Sequence, residues 1–222
     1  IGAMPEEVNE IKALMSDIKF DNDNVVVGIL AHKEVVVCTS GVGKVNASYT
    51  TTKLLMEYDV EMVINIGSAG GLQVDQKVGD LVIANKLQYH DFDIGEEYLN
   101  DPRFIFYSNE KLNKILEQTI HSLDMTYHYG LMVSGDQFIV KTNPAFANIQ
   151  SKFPKAQCTE MEATAIAHVC SRFDVPFVVM RALSDVTYEN EDQMQFEEFL
   201  PLAAKNSAKI CEAFISQLND EN

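Results

Sequence analysis

The sequence predicts an α/β layered fold, and three observations carry that prediction. Short apolar runs alternate with helix-period patterns along the whole chain. Most of the apolar runs are continuous rather than alternating, as expected of strands covered on both faces. No internal repeat, low-complexity stretch or Pro/Gly/Ser linker divides the 222 residues, so residues 1–222 read as a single domain.

Strands are expected at 25–30, 35–39, 62–66, 81–84, 130–133 and 177–183. The first two flank a short Ala31-His32-Lys33 turn and read as a hairpin. Helices are expected at 5–18, 44–58, 110–123, 144–152, 162–173 and 197–218. Pro5 and Pro144 suit a first helical turn, where the missing N–H is not needed, and Asn143 is a good N-cap ahead of Pro144. Residues 90–102 are polar, aromatic and acidic without a period and read as a long functional loop. The chain begins at Ile1 without an initiator methionine, and Ile1-Gly2 reads as the tail of a strand, so a few residues are expected to precede it.

Composition narrows the function. The chain is 46% hydrophobic and 23% charged, the balance of an ordinary globule with a substantial core. Seventeen Lys+Arg against 33 Asp+Glu give a formal charge of −16, which argues against nucleic acid and against an anionic membrane surface as partners. No apolar run approaches the roughly 18 residues of a membrane helix, and no signal segment opens the chain. Cys38, Cys158, Cys170 and Cys211 are far apart in apolar contexts and read as buried free thiols, which points to a reducing, cytoplasmic setting.

The informative residues are charges on apolar faces. Glu7, Ile11, Leu14 and Ile18 are spaced i, i+4, i+7, i+11 and share one helical stripe, so Glu7 is aimed at the interior. A first-turn acid favoured by the helix dipole is the plainer account of the same residue. Glu162, Ile166, Val169 and Phe173 repeat the pattern; Glu160, just before them, reads as a structural partner or a ligand contact. Arg181, one of three arginines, interrupts the apolar run 177–183 and needs a paired carboxylate. Asp185 follows at the strand's C-terminal end, where open α/β sheets place ligands; a structural ion pair plus a turn aspartate is the alternative.

Ser40-Gly41-Val42-Gly43-Lys44, Gly67-Ser68-Ala69-Gly70-Gly71 and Gly135-Asp136-Gln137-Phe138-Ile139 are turns after strands. None has a phosphate-loop spacing; tight turns explain them, and they also permit close backbone approach to a small ligand. The five histidines lack paired ligand spacing, and His90-Asp91 with Asp93 is the sole acidic cluster beside one, so no metal site is expected.

Gly2-Ala3-Met4-Pro5-Glu6-Glu7, Ser40 to Ala47 (SGVGKVNA), Asn65 to Gly71 (NIGSAGG), Val133-Ser134-Gly135-Asp136, Glu160 to Ala165 (EMEATA) and Arg181-Ala182-Leu183-Ser184-Asp185 occur in order. Together they resemble the bacterial 5′-methylthioadenosine/S-adenosylhomocysteine nucleosidases of the nucleoside phosphorylase superfamily. The resemblance implies a three-layer α/β/α sandwich with a twisted, mixed, mostly parallel central sheet. It implies a hydrolase that cleaves the N9–C1′ bond of both nucleosides, with 5′-deoxyadenosine a further candidate, in methionine salvage and the activated methyl cycle. No cofactor and no metal are implied.

By the same resemblance Asp185 protonates adenine N7, which requires a carboxyl that holds a proton in an apolar site, and Ser184 holds Asp185. Glu7, assisted by Ser68 and Arg181, orients and deprotonates the water, and Glu7 serves as a buried partner for Arg181. Glu162 accepts from the ribose hydroxyls and faces a cationic sugar, with Glu160 and Met161 beside it. Phe138 stacks on adenine while the Ile139 backbone reads its edge, and Met4, Val42 and Phe196 line the alkylthio pocket. A homodimer is implied, with the 90–105 loop and Ile94 contributing to the neighbouring site. The segment 95–104 is shorter than the family's and different, which bears on large 5′ groups; Pro5 replaces a usual acid. Three rival readings stay open: a purine nucleoside phosphorylase, which would place an arginine where Asn65 stands, a relative acting on aminofutalosine, and a catalytically inactive nucleoside-binding module.

Overall fold

The strand Phe177–Val186 (β10) is buried along all ten residues and organises the sheet. Its side chains alternate between two cores: Val178, Met180 and Ala182 enter one, Phe177, Val179 and Leu183 the other. The computed structural model describes residues 1–22, 24–187 and 192–218; at 96 and 192–196 only the backbone is described. In order the elements are α1 (Pro5–Lys12), β1 (Ser16–Asp21), β2 (Val25–Leu30), β3 (Lys33–Cys38), α2 (Lys44–Glu57), β4 (Val63–Asn65), β5 (Ser68–Gly71), β6 (Leu81–Tyr89), two 3-10 turns, β7 (Ile105–Tyr107), α3 (Glu110–Ser122), β8 (Tyr127–Ser134), α4 (Pro144–Lys152), β9 (Ala156–Glu160), α5 (Ala163–Arg172), β10 and α6 (Asp192–Gln217).

The seven-stranded sheet runs β4-β10-β5-β9-β8-β6-β7. Pairs β4/β10, β5/β10, β6/β8 and β8/β9 are parallel, and β6/β10, β5/β9 and β6/β7 antiparallel. Because β10 also pairs with β6, the strands β10, β5, β9, β8 and β6 close into a ring rather than lying open. Helices α1, α3 and α6 cover one side, and α2 and α5 the other, so the α/β class and its three layers stand. A separate antiparallel sheet, β1-β2-β3, contains the expected hairpin.

Residues 1–3 join the two sheets as strand-like backbone. Gly2 N–H donates to Cys38 O at 3.0 Å, Ser40 N–H to Gly2 O at 2.8 Å, and Ile66 N–H to Ile1 O at 3.1 Å. That segment delivers α1, and with it Glu7, to the corner between β4 and β5.

The register builds the site's rim. Tyr89 lies opposite Ser134, Ser134 opposite Glu160, Thr159 opposite Gly70 and Gly70 opposite Asp185. Strands β6, β8 and β9 therefore end at one level, and Asp185 on the oppositely running β10 lies one residue short of it, across Gly70.

Several elements differ from expectation. Helix α1 ends at Lys12, not at 18, and Ser16–Asp21 is an edge strand paired antiparallel with β2. Leu14 and Ile18 are exposed, so the apolar spacing over 7–18 was met by a helix turn followed by a strand. Gly28 makes this possible, since a Cβ there would lie 2.9 Å from Ser16 O. The glycine run read as a turn is β5, short enough on side chains to slot between β9 and β10. Strands β7 and β9 were not expected, being three residues long in one case and carrying Gln157 and Thr159 in the other. β6 and β8 run longer than the apolar runs, and β6 continues through a register shift at Ala84/Lys86. Helix α5 starts at Ala163, with Glu162 as its N-cap, and Phe173 is exposed.

The shortened α1 has a measurable consequence. Leu14→Ala, at an exposed turn, should change stability by no more than about 0.5 kcal/mol, whereas Ile11→Ala, in the core, should cost about 2–4 kcal/mol. Urea midpoints of the two variants check this.

Candidate active site

Four of the implied site residues are carboxylates that the fold buries: Glu7, Glu160, Glu162 and Asp185 are 2%, 7%, 6% and 1% exposed. Each is held by hydrogen-bond donors, some from its own segment and some from distant positions in the chain.

Glu7 sits in the first turn of α1. Its Oε2 accepts from the N–H groups of Ala3 (2.8 Å) and Met4 (3.2 Å), and its Oε1 from Ser68 N–H (3.0 Å) and Ser68 Oγ (3.2 Å). The plain first-turn reading and the functional one are thus both met: Glu7 caps its own helix and also reaches into β5. Close approach depends on Gly67, where a Cβ would lie 2.9 Å from Oε1.

Asp185 accepts a hydrogen bond at Oδ1 from Ser184 Oγ at 2.9 Å. Gly70 gives it room, since a Cβ there would lie 2.9 Å from Oδ2. Strand β5 therefore touches both acids, Glu7 at Ser68 and Asp185 at Gly70.

Arg181 does not take Glu7 as its direct partner. Its Nη2 donates to Glu160 Oε2 and Asn65 Oδ1, both at 2.8 Å, and Nη1 to Met180 O at 3.1 Å. The strand alternation points Arg181 towards β9, where Glu160 lies nearer than Glu7. Burial works against the guanidinium charge, but Glu160, then Glu162 and Glu7, outweigh it and hold Arg181 above its ordinary value. Glu7 therefore acts on Arg181 through space only.

Glu160 is engaged on both oxygens. Oε2 also accepts from the N–H groups of Glu162 (2.9 Å) and Ala163 (2.7 Å), and Oε1 from Ser134 Oγ. It anchors α5 and Arg181, the structural one of its two expected roles.

Glu162 Oε1 accepts from Gly43 N–H at 2.8 Å. Burial, and next the charge of Glu160, push its pKa up to about 7, against the pull of the Gly43 N–H and Arg181. Among the remaining expected contacts, Ile139 is buried and Met4 and Met161 are half-buried, while Val42, Phe138 and Ile94 are exposed. Phe196 lies in α6, and its side chain is outside the described ones. Among the described residues no three His, Cys, Asp or Glu side chains are grouped to hold a metal ion.

Two residues that the motifs contained were given no role beforehand. Asn65 orients Arg181 from β4, and Gly43 holds Glu162 from the α2 turn. A polar residue inside the apolar run 62–66 was the signal for Asn65; for Gly43 there was none, because the donor is backbone.

The raised pKa of Glu162 sets a pH test. A carboxyl raised in the folded state favours folding at low pH, and that contribution is lost as pH rises through about 7. Glu162→Gln should therefore melt higher than the parent at pH near 8, by the equivalent of a few kcal/mol at most, and show no such gain near pH 5. Thermal melts at both pH values check it.

Residues 1–216 match the family model described as the phosphorylase superfamily. A 5′-methylthioadenosine/S-adenosylhomocysteine nucleosidase from Staphylococcus aureus is 42% identical over 226 residues, covering 98% of each chain. The Neisseria meningitidis nucleosidase of that name, solved in complex with methylthio-immucillin-A, superposes with a TM-score of 0.89 at 35% identity, covering 98% of this chain and 97% of that one. A futalosine hydrolase of Helicobacter pylori superposes with a TM-score of 0.86 at 31% identity over 98% and 96%. With a family model matched over residues 1–216 and a relative 42% identical over 98% of the chain, the protein belongs to the phosphorylase superfamily, within its 5′-methylthioadenosine/S-adenosylhomocysteine nucleosidase family.

Proposed function

We propose that the protein hydrolyses the N-glycosidic bond of 5′-methylthioadenosine and S-adenosylhomocysteine, releasing adenine and the thioribose, in methionine salvage and the activated methyl cycle. The observation that carries this is the pairing of Glu7 and Asp185 along one short strand, with Glu162 held beside the same rim. In the proposed reaction the C1′–N9 electron pair leaves with adenine, and Asp185 delivers a proton to N7. The sugar becomes cationic at C1′. Water attacks C1′ and passes a proton to Glu7, whose oxygens are surrounded by donors and serve as acceptors. Glu162 accepts from the ribose hydroxyls, and its charge, present above about pH 7, faces the developing cation. Ser184 orients Asp185, Met161 packs on the sugar, Phe138 and Ile139 hold the base, and Met4 and Val42 line the alkylthio side.

Phosphorolysis is disfavoured by the same geometry. The buried cation Arg181 is already engaged by Glu160, Asn65 occupies the position where the related phosphorylases carry an arginine, and three buried carboxylates would repel a phosphate dianion. Aminofutalosine stays a second substrate reading, supported by the likeness to the Helicobacter pylori futalosine hydrolase and by the altered 95–104 segment.

We also propose a homodimer and a cytoplasmic setting. Val45, Tyr49 and Met56 are 79%, 69% and 74% exposed on one face of α2, an apolar stripe that a second copy would cover. The four cysteines are buried free thiols, as suits a reducing compartment. No described helix is long and apolar enough to cross a membrane.

Adenine release from methylthioadenosine, S-adenosylhomocysteine, aminofutalosine and inosine, each with and without phosphate, tests the substrate and the reaction class. Hydrolysis predicts release without phosphate. Glu7→Gln keeps the shape and removes the base, so single-turnover release should fall by about 10²–10⁴ with the substrate dissociation constant nearly unchanged. Asp185→Asn keeps a hydrogen bond to N7 but carries no transferable proton, and should be nearly inactive too. Near-normal turnover in Glu7→Gln would sink the base assignment. For the dimer, light scattering should give twice the chain mass, and Tyr49→Glu with Met56→Glu should shift it to a monomer.

A further inference from the structure

We propose that Lys44, Asp91 and Asp136 form an ionic clamp that sets nucleoside affinity by holding Gly43 against Glu162. Three loops follow the ends of β3, β6 and β8 at the rim, and the clamp ties them by charge. Lys44 Nζ donates to Asp91 Oδ1 at 2.5 Å and lies 3.6 Å from Asp136 Oδ2. Asp136 N–H donates to Asp91 Oδ2 at 2.8 Å, and Lys44 N–H to Asp136 Oδ1 at 2.8 Å. The ammonium also sits 5.5 Å over the Tyr89 ring, which keeps its stem against the end of β6.

The connection to Glu162 runs through one peptide step. Gly43 and Lys44 present consecutive N–H groups, the first to Glu162 Oε1 and the second to Asp136 Oδ1. Gly43 reaches this geometry with φ +95°, a left-handed conformation that strains other residues, and a Cβ there would lie 3.2 Å from Asp136 Oδ1. Lys44 anchored at Asp136 therefore fixes where the Gly43 N–H points. Asp136 also stands two residues before Phe138, and Asp91 three before Ile94, so one cation orders the turns that carry the implied sugar, base and 5′ contacts. Burial alone would raise the Asp91 carboxyl, but Lys44 and the Asp136 N–H outweigh that and hold it below the usual range. The triad is half-exposed, so its strength depends on ionic strength, and its effect is the ordering of loops before substrate arrives.

The inference rests on Glu162 being the ribose acceptor, and the experiment separates the two claims. Steady-state hydrolysis of methylthioadenosine, a neutral substrate, is measured at about 50 mM and about 500 mM salt for the parent, Lys44→Met, Asp91→Asn, Lys44→Arg and Glu162→Gln, with thermal melts alongside. Lys44→Met and Asp91→Asn should raise KM roughly tenfold, with kcat within about threefold and melting nearly unchanged. Lys44→Arg should recover most of the affinity. The parent's KM should rise with salt, and those of Lys44→Met and Asp91→Asn should not. An unchanged KM in both variants, or a kcat loss as large as the KM rise, overturns the clamp while a weakened Glu162→Gln leaves the ribose assignment standing. A Glu162→Gln variant with parental KM and kcat overturns both.

Discussion

The buried ion pair between Arg181 and Glu160 is the interaction on which the rest of the site depends. A guanidinium 1% exposed in the middle of β10 has no water to solvate it, so it must be neutralised by a protein group. Glu160 does this at the end of β9 while also accepting from Ser134 on β8 and from the first N–H groups of α5, and Asn65 completes the grip from β4. One charge pair thus ties four strands and a helix at the rim. Thr164 extends the network: its N–H donates to Ser134 Oγ at 2.8 Å and its hydroxyl to Gln88 O at 3.0 Å, on β6. Glu162 is placed as a consequence, because its own N–H belongs to Glu160.

Around that frame the three candidate carboxylates are held by different means, and the differences match the jobs proposed for them. Glu7 is surrounded by four donors. Asp185 sits in a strand interior with one hydroxyl on Oδ1. Glu162 lies buried beside another carboxylate, an arrangement that works against its ionised form and against folding at neutral pH and above. A carboxylate kept at such a cost, with a backbone N–H as its hydrogen-bond donor among the described residues, is the usual mark of a functional position rather than a structural one.

Much of this was legible in the residues. Apolar runs around 177–183 and 81–84 announced strands buried on both faces, and an arginine inside one of them announced a buried pair. Glu7 and Glu162 at the heads of apolar stripes were correctly read as interior acids. Other parts were illegible for identifiable reasons. The stripe from Glu7 to Ile18 fits a helix by spacing, yet the chain turns at Ala13 and pairs Ser16–Asp21 with β2, because an edge strand gains its hydrogen bonds from a partner that helical periodicity does not report. The glycine run 67–71 lacks the side chains that mark a strand, and it becomes one because Glu7 and Asp185 need the space on either side of it.

By itself the sequence determined the α/β class, the helices that cover the sheet, and the presence of two interior acids with one interior cation, since local periodicity and the cost of burying charge are written residue by residue. The tertiary structure alone decided which acid meets which cation, the closure of the sheet through β6 and β10, and the backbone donors from Ala3, Gly43 and Ser68 that hold the acids. Those depend on strand register and on loops brought together from distant positions, such as Gly43 and Glu162, 119 residues apart. A backbone N–H carries no side-chain signature, so its aim exists only once the chain has folded.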